Sequence, residues 1–227
     1  MITYIGNLRR IDLHFITLLR HGESEGNSAG VLQGQSDYPL TTAGINQAKK
    51  LAACWKSAEV PFDLIVSSPL KRASQTAEII SDRLEVPVKF DQAWKERNFG
   101  HLQDANLQEL NERVPSVDFF HPYDPIGENG ESQLDLYLRA GQALQNILRL
   151  PSGSYLVVSH GGILNKTLFV ILGITPQGHY NSPIFHFGNT GYAQCCYNHS
   201  TRQWALMGLN KQSSDIHRDT NLMWRQD

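Results

Sequence analysis

Short apolar runs rich in strand-forming residues alternate with amphipathic helical patterns along much of the chain. Apolar residues at helical spacing predict helices that start at Thr41 or Thr42, extend from Ser68-Pro69 to about Leu84, and cover Ser132 to Leu150 and Ile163 to Leu172. Predicted strands lie at His14 to Leu19, Leu64 to Val66, Val86 to Phe90, Tyr155 to Val158, Tyr192 to Tyr197 and Trp204 to Leu209. The alternation predicts an α/β fold.

The periodic pattern weakens between Gln92 and Gly130, where prolines and glycines accumulate. We predict a short helix near Leu107 to Arg113 inside this irregular excursion. Long excursions of this kind are commonly lids or walls of binding sites. The sequence therefore predicts one domain over residues 1–227, with a lid insertion at about 92–130 and a polar C-terminal tail from about 211.

Charge and hydropathy exclude two classes of partner. The 227 residues include 20 Lys and Arg against 22 Asp and Glu, a net charge of −2, whereas a sequence-blind nucleic-acid binder needs a broad cationic surface. The longest apolar stretch, Leu168 to Ile174, is far shorter than the ~20 residues of a membrane helix. The first residues lack the charged-then-apolar order of a secretory signal. We expect a cytoplasmic protein that binds neither nucleic acid nor membrane.

Cysteine and histidine spacing gives no sign of a metal site. Cys54, Cys195 and Cys196 form no C-x-x-C pair, and the nine histidines form no H-E-x-x-H motif. We therefore expect no disulfide framework, no bound metal and no cofactor.

Residues with chemical potential follow four of the predicted strands. In open α/β sheets, ligands bind in the crevice at the carboxyl ends of the strands. The segments that follow the strands are Arg20-His21-Gly22-Glu23, Ser67-Ser68-Pro69-Leu70-Lys71-Arg72, Lys95-Glu96-Arg97 and Ser159-His160-Gly161-Gly162. The fold should bring them to one edge of the sheet.

Two arginines and two histidines at one edge would form a local cationic pocket in a slightly acidic protein. Guanidinium groups match phosphate oxygens in bidentate geometry, and backbone amides at a helix start near Ser68 would add to them. A neutral imidazole has a nitrogen lone pair that can attack phosphorus. These residue types predict phosphoryl-transfer chemistry.

Five ordered motifs between residues 14 and 197 resemble the histidine phosphatase superfamily, the phosphoglycerate mutase-like group. The motifs are Arg20-His21-Gly22-Glu23-Ser24-x-x-Asn27, Leu40-Thr41-x-x-Gly44-x-x-Gln47-Ala48, Ser67-Ser68-Pro69-x-x-Arg72-Ala73-x-x-Thr76-Ala77, Glu96-x-x-x-Gly100 and Ser159-His160-Gly161. The resemblance implies a three-layer α/β/α sandwich with a mostly parallel sheet. It also implies a phosphohistidine intermediate formed without a metal.

The resemblance assigns the catalytic roles by position. His21 matches the nucleophile, Arg20, Arg72 and His160 match the rest of the phosphate pocket, and Glu96 matches the acid that protonates the leaving oxygen. A carboxyl shielded by the lid could donate that proton and later deprotonate the hydrolytic water.

Further residues are candidate contacts to phosphate or substrate. Asn27 matches an asparagine that supports the phosphate, and Gln33 resembles a glutamine that lines the pocket in many members. Arg97 and Gly161 join them as candidates. The residues from Phe187 to Gly191 predict a turn between the late strands. In the family that this chain resembles, the corresponding turn approaches the pocket.

Two positions depart from the family pattern. Gly26 stands where tryptophan is frequent, and Asp104 stands where a glycine often closes the segment after the acid. We expect neither to touch the core pocket. The departures affect the wall that recognises the leaving group, so specificity is the property that the resemblance predicts least.

The lid charge distinguishes the possible reactions of such a pocket. Phosphoglycerate mutases of the family carry several lysines and arginines in the lid to hold a polyanionic substrate. From Arg97 to Asn129 the basic residues are Arg97 and Arg113, against the six acids Asp104, Glu109, Glu112, Asp118, Asp124 and Glu128. This balance favours a hydrolase of phosphomonoesters whose leaving group has little extra negative charge, with a small phosphorylated metabolite as substrate.

Three alternatives stay open at this level. The chain could be a 2,3-bisphosphoglycerate-dependent phosphoglycerate mutase, or a fructose-2,6-bisphosphatase within the same chemistry. It could also be a non-catalytic phosphate-binding regulatory module, since some family members are weak catalysts. Oligomeric state is open between monomer and homodimer.

Overall fold

The computed structural model describes residues 12–108, 110, 121–178 and 182–210. The strands are β1 (Leu13–Arg20), β2 (Leu64–Ser67), β3 (Val88–Phe90), β4 (Gly153–Ser159), β5 (Tyr192–Asn198) and β6 (Gln203–Asn210). The α-helices are α1 (Glu25–Ser28), α2 (Thr42–Ser57), α3 (Lys71–Leu84), α4 (Gln133–Leu148) and α5 (Gly161–Leu172). Short 3₁₀ turns cover Gln92–Trp94 and Gly100–Leu102.

The six strands form one mixed sheet in the order β3-β2-β4-β1-β5-β6. The four strands β3, β2, β4 and β1 are parallel, whereas β5 pairs antiparallel with both β1 and β6. The sheet is therefore mostly parallel. The predicted α/β class and the sheet that the resemblance implied are both confirmed.

Helices cover both faces of the sheet because neighbouring strand residues point to opposite faces. Leu18 belongs to a core cluster with residues of α4 and α5, whereas its neighbour Leu19 belongs to a second cluster with residues of α2 and α3. The central strand β4 is buried from Tyr155 to Ser159, as expected for a parallel strand covered on both sides.

The predicted helix boundaries are correct to within a few residues, with one wrong cap. Thr41 is the N-cap of α2, and its hydroxyl accepts a hydrogen bond from the Gly44 amide. Ser68 does not cap α3, which begins at Lys71 without a side-chain cap. The helix start expected near Ser68 therefore lies at Lys71, whose amide donates to Asp37 Oδ1 at 2.6 Å.

Part of the predicted lid lies outside the described residues. Leu107, Gln108 and Leu110 are helical, but the rest of the helix predicted near Leu107 to Arg113 is not described. The same holds for the predicted C-terminal tail. In the described part of the chain, no helix is long and apolar enough to cross a bilayer.

Candidate active site at the carboxyl edge of the sheet

The carboxyl ends of β1, β2 and β4 lie side by side. Arg20 pairs with Ser159 in the parallel register, and Ser67 pairs with Val158 on the other side of β4. The hydrogen bonding between β1 and β4 continues past the end of β1, because the His21 amide donates to the Ser159 carbonyl at 3.0 Å. The structure therefore brings the segments that follow these three strands to one edge of the sheet, as the sequence predicts.

His21 is buried, with 3% of its surface exposed, and its imidazole tautomer is set by one hydrogen bond. Nδ1 lies 2.6 Å from the carbonyl oxygen of Gly22. A carbonyl oxygen only accepts, so Nδ1 carries the proton and Nε2 keeps its lone pair. Burial, and after it the charges of Arg72 and Arg20, hold the pKa of His21 well below its usual 6.5. The imidazole is therefore neutral and nucleophilic at physiological pH.

His160 packs against His21, with ring centroids 5.1 Å apart. Its Nε2 lies 2.8 Å from Ser68 Oγ, while its buried Nδ1 has no hydrogen-bond partner among the described residues. Burial, followed by the charges of Arg72, His21, Arg20 and Arg139, holds the pKa of His160 well below 6.5. His160 is therefore also neutral.

The two pocket arginines are held by backbone carbonyls on the far side of the site. Arg20 Nη1 donates to the Phe187 carbonyl at 2.6 Å, and Arg72 donates from Nη1 and Nη2 to the Ser36 and Gly34 carbonyls at 2.8 and 2.7 Å. Burial lowers the pKa of Arg72 to about 10, so the guanidinium is charged at neutral pH. Both arginines lie close enough to His21 and His160 to depress their pKa values.

Glu96 reaches the same edge from the segment after β3. Its Oε2 accepts from the Gly162 amide at 3.0 Å, and Oε1 accepts from the amides of Ile163 and Arg97 at 3.1 and 2.8 Å. The carboxylate thus sits on the N-terminal amides of α5, immediately after His160. Gly162 permits this approach, since a Cβ there would lie 2.5 Å from Glu96 Oε1.

Asn27 and Gln33 belong to a polar network beside His21. The Ser24 hydroxyl contacts Asn27 Oδ1 at 2.9 Å and Gln33 Oε1 at 2.7 Å. Asn189 Nδ2 lies 3.2 Å from both the His21 carbonyl and Asn27 Oδ1. The network connects Asn27 and Gln33, in the segment after His21, to Asn189 in the turn before β5.

Arg97 and Gly161 occupy less direct positions. Among the described residues, the Arg97 guanidinium donates from Nε to the Glu131 carbonyl at 2.9 Å and lies over the Phe99 ring, 5.6 Å from its centroid. It is thus at the base of the lid and bonds to none of the pocket side chains described above. A Cβ on Gly161 would lie 3.9 Å from Arg20 Nε, which places this glycine beside the Arg20 guanidinium.

Comparison with known proteins decides the family. The family model of the histidine phosphatase superfamily, branch 1, matches residues 16–211. The chain belongs to the histidine phosphatase superfamily.

Relatives of this superfamily member bear the names of two activities. The uncharacterized phosphatase PhoE of Bacillus subtilis (strain 168) is 34% identical over 71% of this chain and 79% of its own length. The probable phosphoglycerate mutase GpmB of Proteus mirabilis (strain HI4320) is 39% identical over 70% of this chain and 75% of its own. Phosphoserine phosphatase of Entamoeba histolytica, solved with 3-phosphoglyceric acid, has a TM-score of 0.70 at 28% identity, covering 88% of this chain and 98% of that one.

The two departures from the superfamily pattern have structural reasons. A Cβ on Gly26 would lie 2.4 Å from Gln33 Cγ, so Gly26 abuts a predicted pocket residue. The expectation that Gly26 stays clear of the pocket is therefore wrong. Asp104 has φ +66°, the left-handed region that favours glycine, and its carboxylate accepts hydrogen bonds from Ser36 and Tyr38 at 2.7 and 2.8 Å.

Four residues of this superfamily site escaped the sequence analysis in the roles that the structure gives them: Ser68, Asn189, Glu131 and Arg139. Ser68 and Asn189 stood in motifs or turns already marked, but only their hydrogen bonds show what they hold. Glu131 lies just before the predicted helix and Arg139 lies within it, and neither position carried a chemical signal. Among the described residues, no group of three or more His, Cys, Asp or Glu side chains is arranged to hold a metal ion.

Proposed function

We propose that this protein is a metal-independent phosphomonoester hydrolase that acts on a small phosphorylated metabolite through a phosphohistidine at Nε2 of His21. The observation that carries the proposal is the neutral His21 imidazole, whose Nδ1 is engaged by the Gly22 carbonyl beside the buried guanidinium of Arg72 and the partly buried guanidinium of Arg20. A lone pair surrounded by fixed positive charge is suited to attack a dianionic phosphoryl group.

In the first step, the Nε2 lone pair forms a bond to phosphorus while the bond from phosphorus to the leaving oxygen breaks. The leaving oxygen takes a proton from the Glu96 carboxyl, because an alkoxide is a poor leaving group. Oε2 is the oxygen suited to this, since it accepts one backbone N–H whereas Oε1 accepts two.

In the second step, water attacks phosphorus as the bond to Nε2 breaks, and the electron pair returns to the imidazole. Glu96 takes the proton that the water loses, which restores the enzyme. Arg20, Arg72 and the Nδ1–H of His160 stabilise the charge on the transferred oxygens in both steps.

Charge around the leaving-group side supports hydrolysis over transfer to a polyanion. The lid sequence carries six acids against Arg97 and Arg113. Of these, the described Glu128 side chain is 88% exposed and Asp104 is engaged by two hydroxyls. A substrate with a second phosphate would meet more negative than positive charge at this lid.

Phosphoglycerate mutase is the second candidate, favoured by the 39% identity to a relative that bears that name. The discriminating experiment measures turnover of phosphomonoesters alongside 2,3-bisphosphoglycerate-dependent interconversion of phosphoglycerates. We expect hydrolysis of a broad set of phosphomonoesters and negligible interconversion. Efficient interconversion would overturn the hydrolase proposal.

The nucleophile is tested by trapping the intermediate. Acid-sensitive phosphate on His21, detected by mass spectrometry after rapid quench at alkaline pH, is the expected result. His21→Ala should abolish both label and turnover, while His101→Ala, at a 68% exposed side chain, should change neither. Turnover should persist in EDTA. A label on another residue, or activity retained by His21→Ala, contradicts the mechanism, and the absence of any hydrolysis would indicate a binding module.

A further inference from the structure

Arg139 lies in α4, outside every motif, and all five of its N–H groups find acceptors. Nε and Nη2 pair with the two oxygens of Glu131 at 2.6 and 2.7 Å. Nη1 donates to the carbonyls of Ala93 and Lys95 at 2.9 and 2.6 Å, and Nη2 donates to the Glu96 carbonyl at 3.1 Å. The side chain is mostly buried, at 21% exposure, so these bonds are shielded from water.

The segment that Arg139 binds consists of the end of the 3₁₀ turn at Gln92–Trp94 and the two residues after it, and among the described residues no strand pairs with its carbonyls. The carbonyls from Ala93 to Glu96 instead each accept from a side chain, because the Ser159 hydroxyl donates to the Trp94 carbonyl at 2.6 Å. Gln35 Nε2 adds a second donor on the Glu96 carbonyl at 3.0 Å. Buried carbonyls need such partners, so the path of this segment depends on them.

Glu131 binds the backbone on the C-terminal side of Glu96. Its Oε2 accepts from the Asn98 amide at 2.8 Å, and its own amide donates to the Asn98 carbonyl at 2.8 Å. The Arg139–Glu131 pair therefore fixes the backbone both before and after Glu96. Between these two anchors, the Glu96 carboxylate has the fixed direction that lets it meet the α5 amides.

We propose that Arg139, together with Glu131, is a positioning residue that holds Glu96 where it can protonate the leaving oxygen. This inference rests on the proposed function, since it assigns a role within that reaction. Lysine could not replace arginine here, because an ammonium has three donors from one point whereas the guanidinium spreads five donors over a plane.

If Arg139 positions Glu96, its replacement should slow some substrates more than others, whereas loss of a purely structural arginine should slow all substrates alike. A proton donor matters most when the leaving oxygen is a strong base, as in alkyl phosphates, and least for p-nitrophenolate, which departs without a proton at neutral pH. Misplacing Glu96 should therefore slow alkyl phosphates far more than p-nitrophenyl phosphate. The attack by His21 and the binding of the phosphoryl group should change little.

The experiment measures kcat/KM, which reports the steps up to phosphoryl transfer to His21 and not the later hydrolysis in which Glu96 also acts. The substrates are p-nitrophenyl phosphate, phenyl phosphate and an alkyl phosphate, and the proteins are the wild type, Arg139→Met, Arg139→Lys, Glu131→Gln and Glu96→Gln. We expect Arg139→Met and Arg139→Lys to lose about tenfold or more on the alkyl ester, part of the 10²–10⁴ that general acids supply. Their loss on p-nitrophenyl phosphate should stay within about threefold, and Glu131→Gln should follow the same pattern. Arg149→Met, at an exposed arginine just beyond α4, is the control that should match the wild type.

Two other measurements keep the outcomes distinct. Thermal unfolding reports whether each variant is folded, and inhibition by vanadate reports whether its phosphate pocket is intact. If Arg139→Met does not fold, Arg139→Lys and Glu131→Gln provide the test. A loss that is equal for all leaving groups in the Arg139 and Glu131 variants, while Glu96→Gln shows the expected dependence, overturns the positioning role alone. A Glu96→Gln variant with no leaving-group dependence overturns both the acid assignment and the role of Arg139.

Discussion

The Ser68 hydroxyl lies 2.8 Å from Nε2 of His160, and this contact gives His160 the same tautomer as His21, with the proton on Nδ1. Ser68 Oγ also accepts from the Leu70 amide at 3.3 Å, so its own proton is directed to His160 Nε2. Nδ1 of His160 therefore carries the proton, as Nδ1 of His21 does. The two rings differ in the nitrogen that is engaged, because Gly22 holds the Nδ1–H of His21 and leaves the Nε2 lone pair, whereas Ser68 holds Nε2 of His160 and leaves the Nδ1–H. In the proposed reaction, His21 therefore presents a lone pair for attack on phosphorus, and His160 presents an N–H that donates a hydrogen bond.

Replacing Ser68 by alanine should lower kcat without unfolding the protein. The variant loses the group that fixes the His160 tautomer, and we expect a loss of about tenfold or more, the range seen when the partner that orients a histidine is removed. Steady-state kinetics with p-nitrophenyl phosphate measure it. Ser74→Ala, in α3, removes a hydroxyl that donates to the Lys71 carbonyl and to no other group in the described part of the chain, and it should be silent. Equal kinetics for both variants would contradict the tautomer assignment.

The imidazole of His21 should stay neutral below pH 6.5 in the free protein. Burial and the charges of Arg72 and Arg20 lower its pKa, so the charged form appears only at more acidic pH than in an unfolded chain. NMR titration of the histidine ring signals, with His21→Ala for assignment, measures this directly. A His21 midpoint at or above 6.5 would contradict the proposed electrostatic environment.

Alanine at position 162 should impair catalysis through Glu96. The added methyl group would lie 2.5 Å from Glu96 Oε1 and must displace the carboxylate from the α5 amides. We expect kcat to fall at least about tenfold for substrates that need a proton on the leaving group. Gly208→Ala is the matched control, because a Cβ there meets nothing within 4 Å. Full activity of Gly162→Ala would show that the carboxylate position is unimportant.

Replacing Lys166 by methionine should stabilise the protein at neutral pH. Its ammonium is buried in α5, 3.1 Å from Gln133 Oε1 and 4.2 Å from the centroid of the Phe169 ring, and burial lowers its pKa to about 8. At pH 7 the folded state therefore holds a buried charge that methionine avoids, and we expect a gain of about 1 kcal/mol or more in unfolding free energy.

The pH dependence of that gain follows from the lowered pKa. Between about pH 8 and the usual lysine value of 10.5, the unfolded wild type binds more protons than the folded one, so its stability rises with pH. The gap between wild type and Lys166→Met should therefore narrow over this window. Chemical denaturation at several pH values measures it, with Lys49→Met at an exposed position of α2 as control. A gap that widens with pH would contradict the burial of a charged amine.

The fold class followed from sequence because it depends on local periodicity. Strand runs such as Leu64 to Val66 and the helix capped by Thr41 lie where the pattern placed them, within a few residues. The error at Ser68 has a physical cause. A serine before proline satisfies the rule for a helix cap, but its hydroxyl bonds to His160, 92 residues further along the chain. No local rule contains a partner at that separation.

Motif residues were predictable for a different reason, since a phosphoryl group restricts which side chains can hold it. Arg20, His21, Arg72 and His160 could be named from residue chemistry at strand ends and from the family resemblance. Arg139 could not, because in the helical pattern it resembles any solvated arginine. Its importance comes from which carbonyls lie opposite it after folding.

The amino-acid order alone determined the layered architecture and the set of side chains available to bind phosphate, because hydrophobic periodicity and functional-group chemistry are properties of short segments. Tertiary structure alone decided which nitrogen of each histidine holds a proton and how Glu96 is held in place. Those properties depend on hydrogen bonds between segments as distant as Ser68 and His160, and only packing brings such partners within reach.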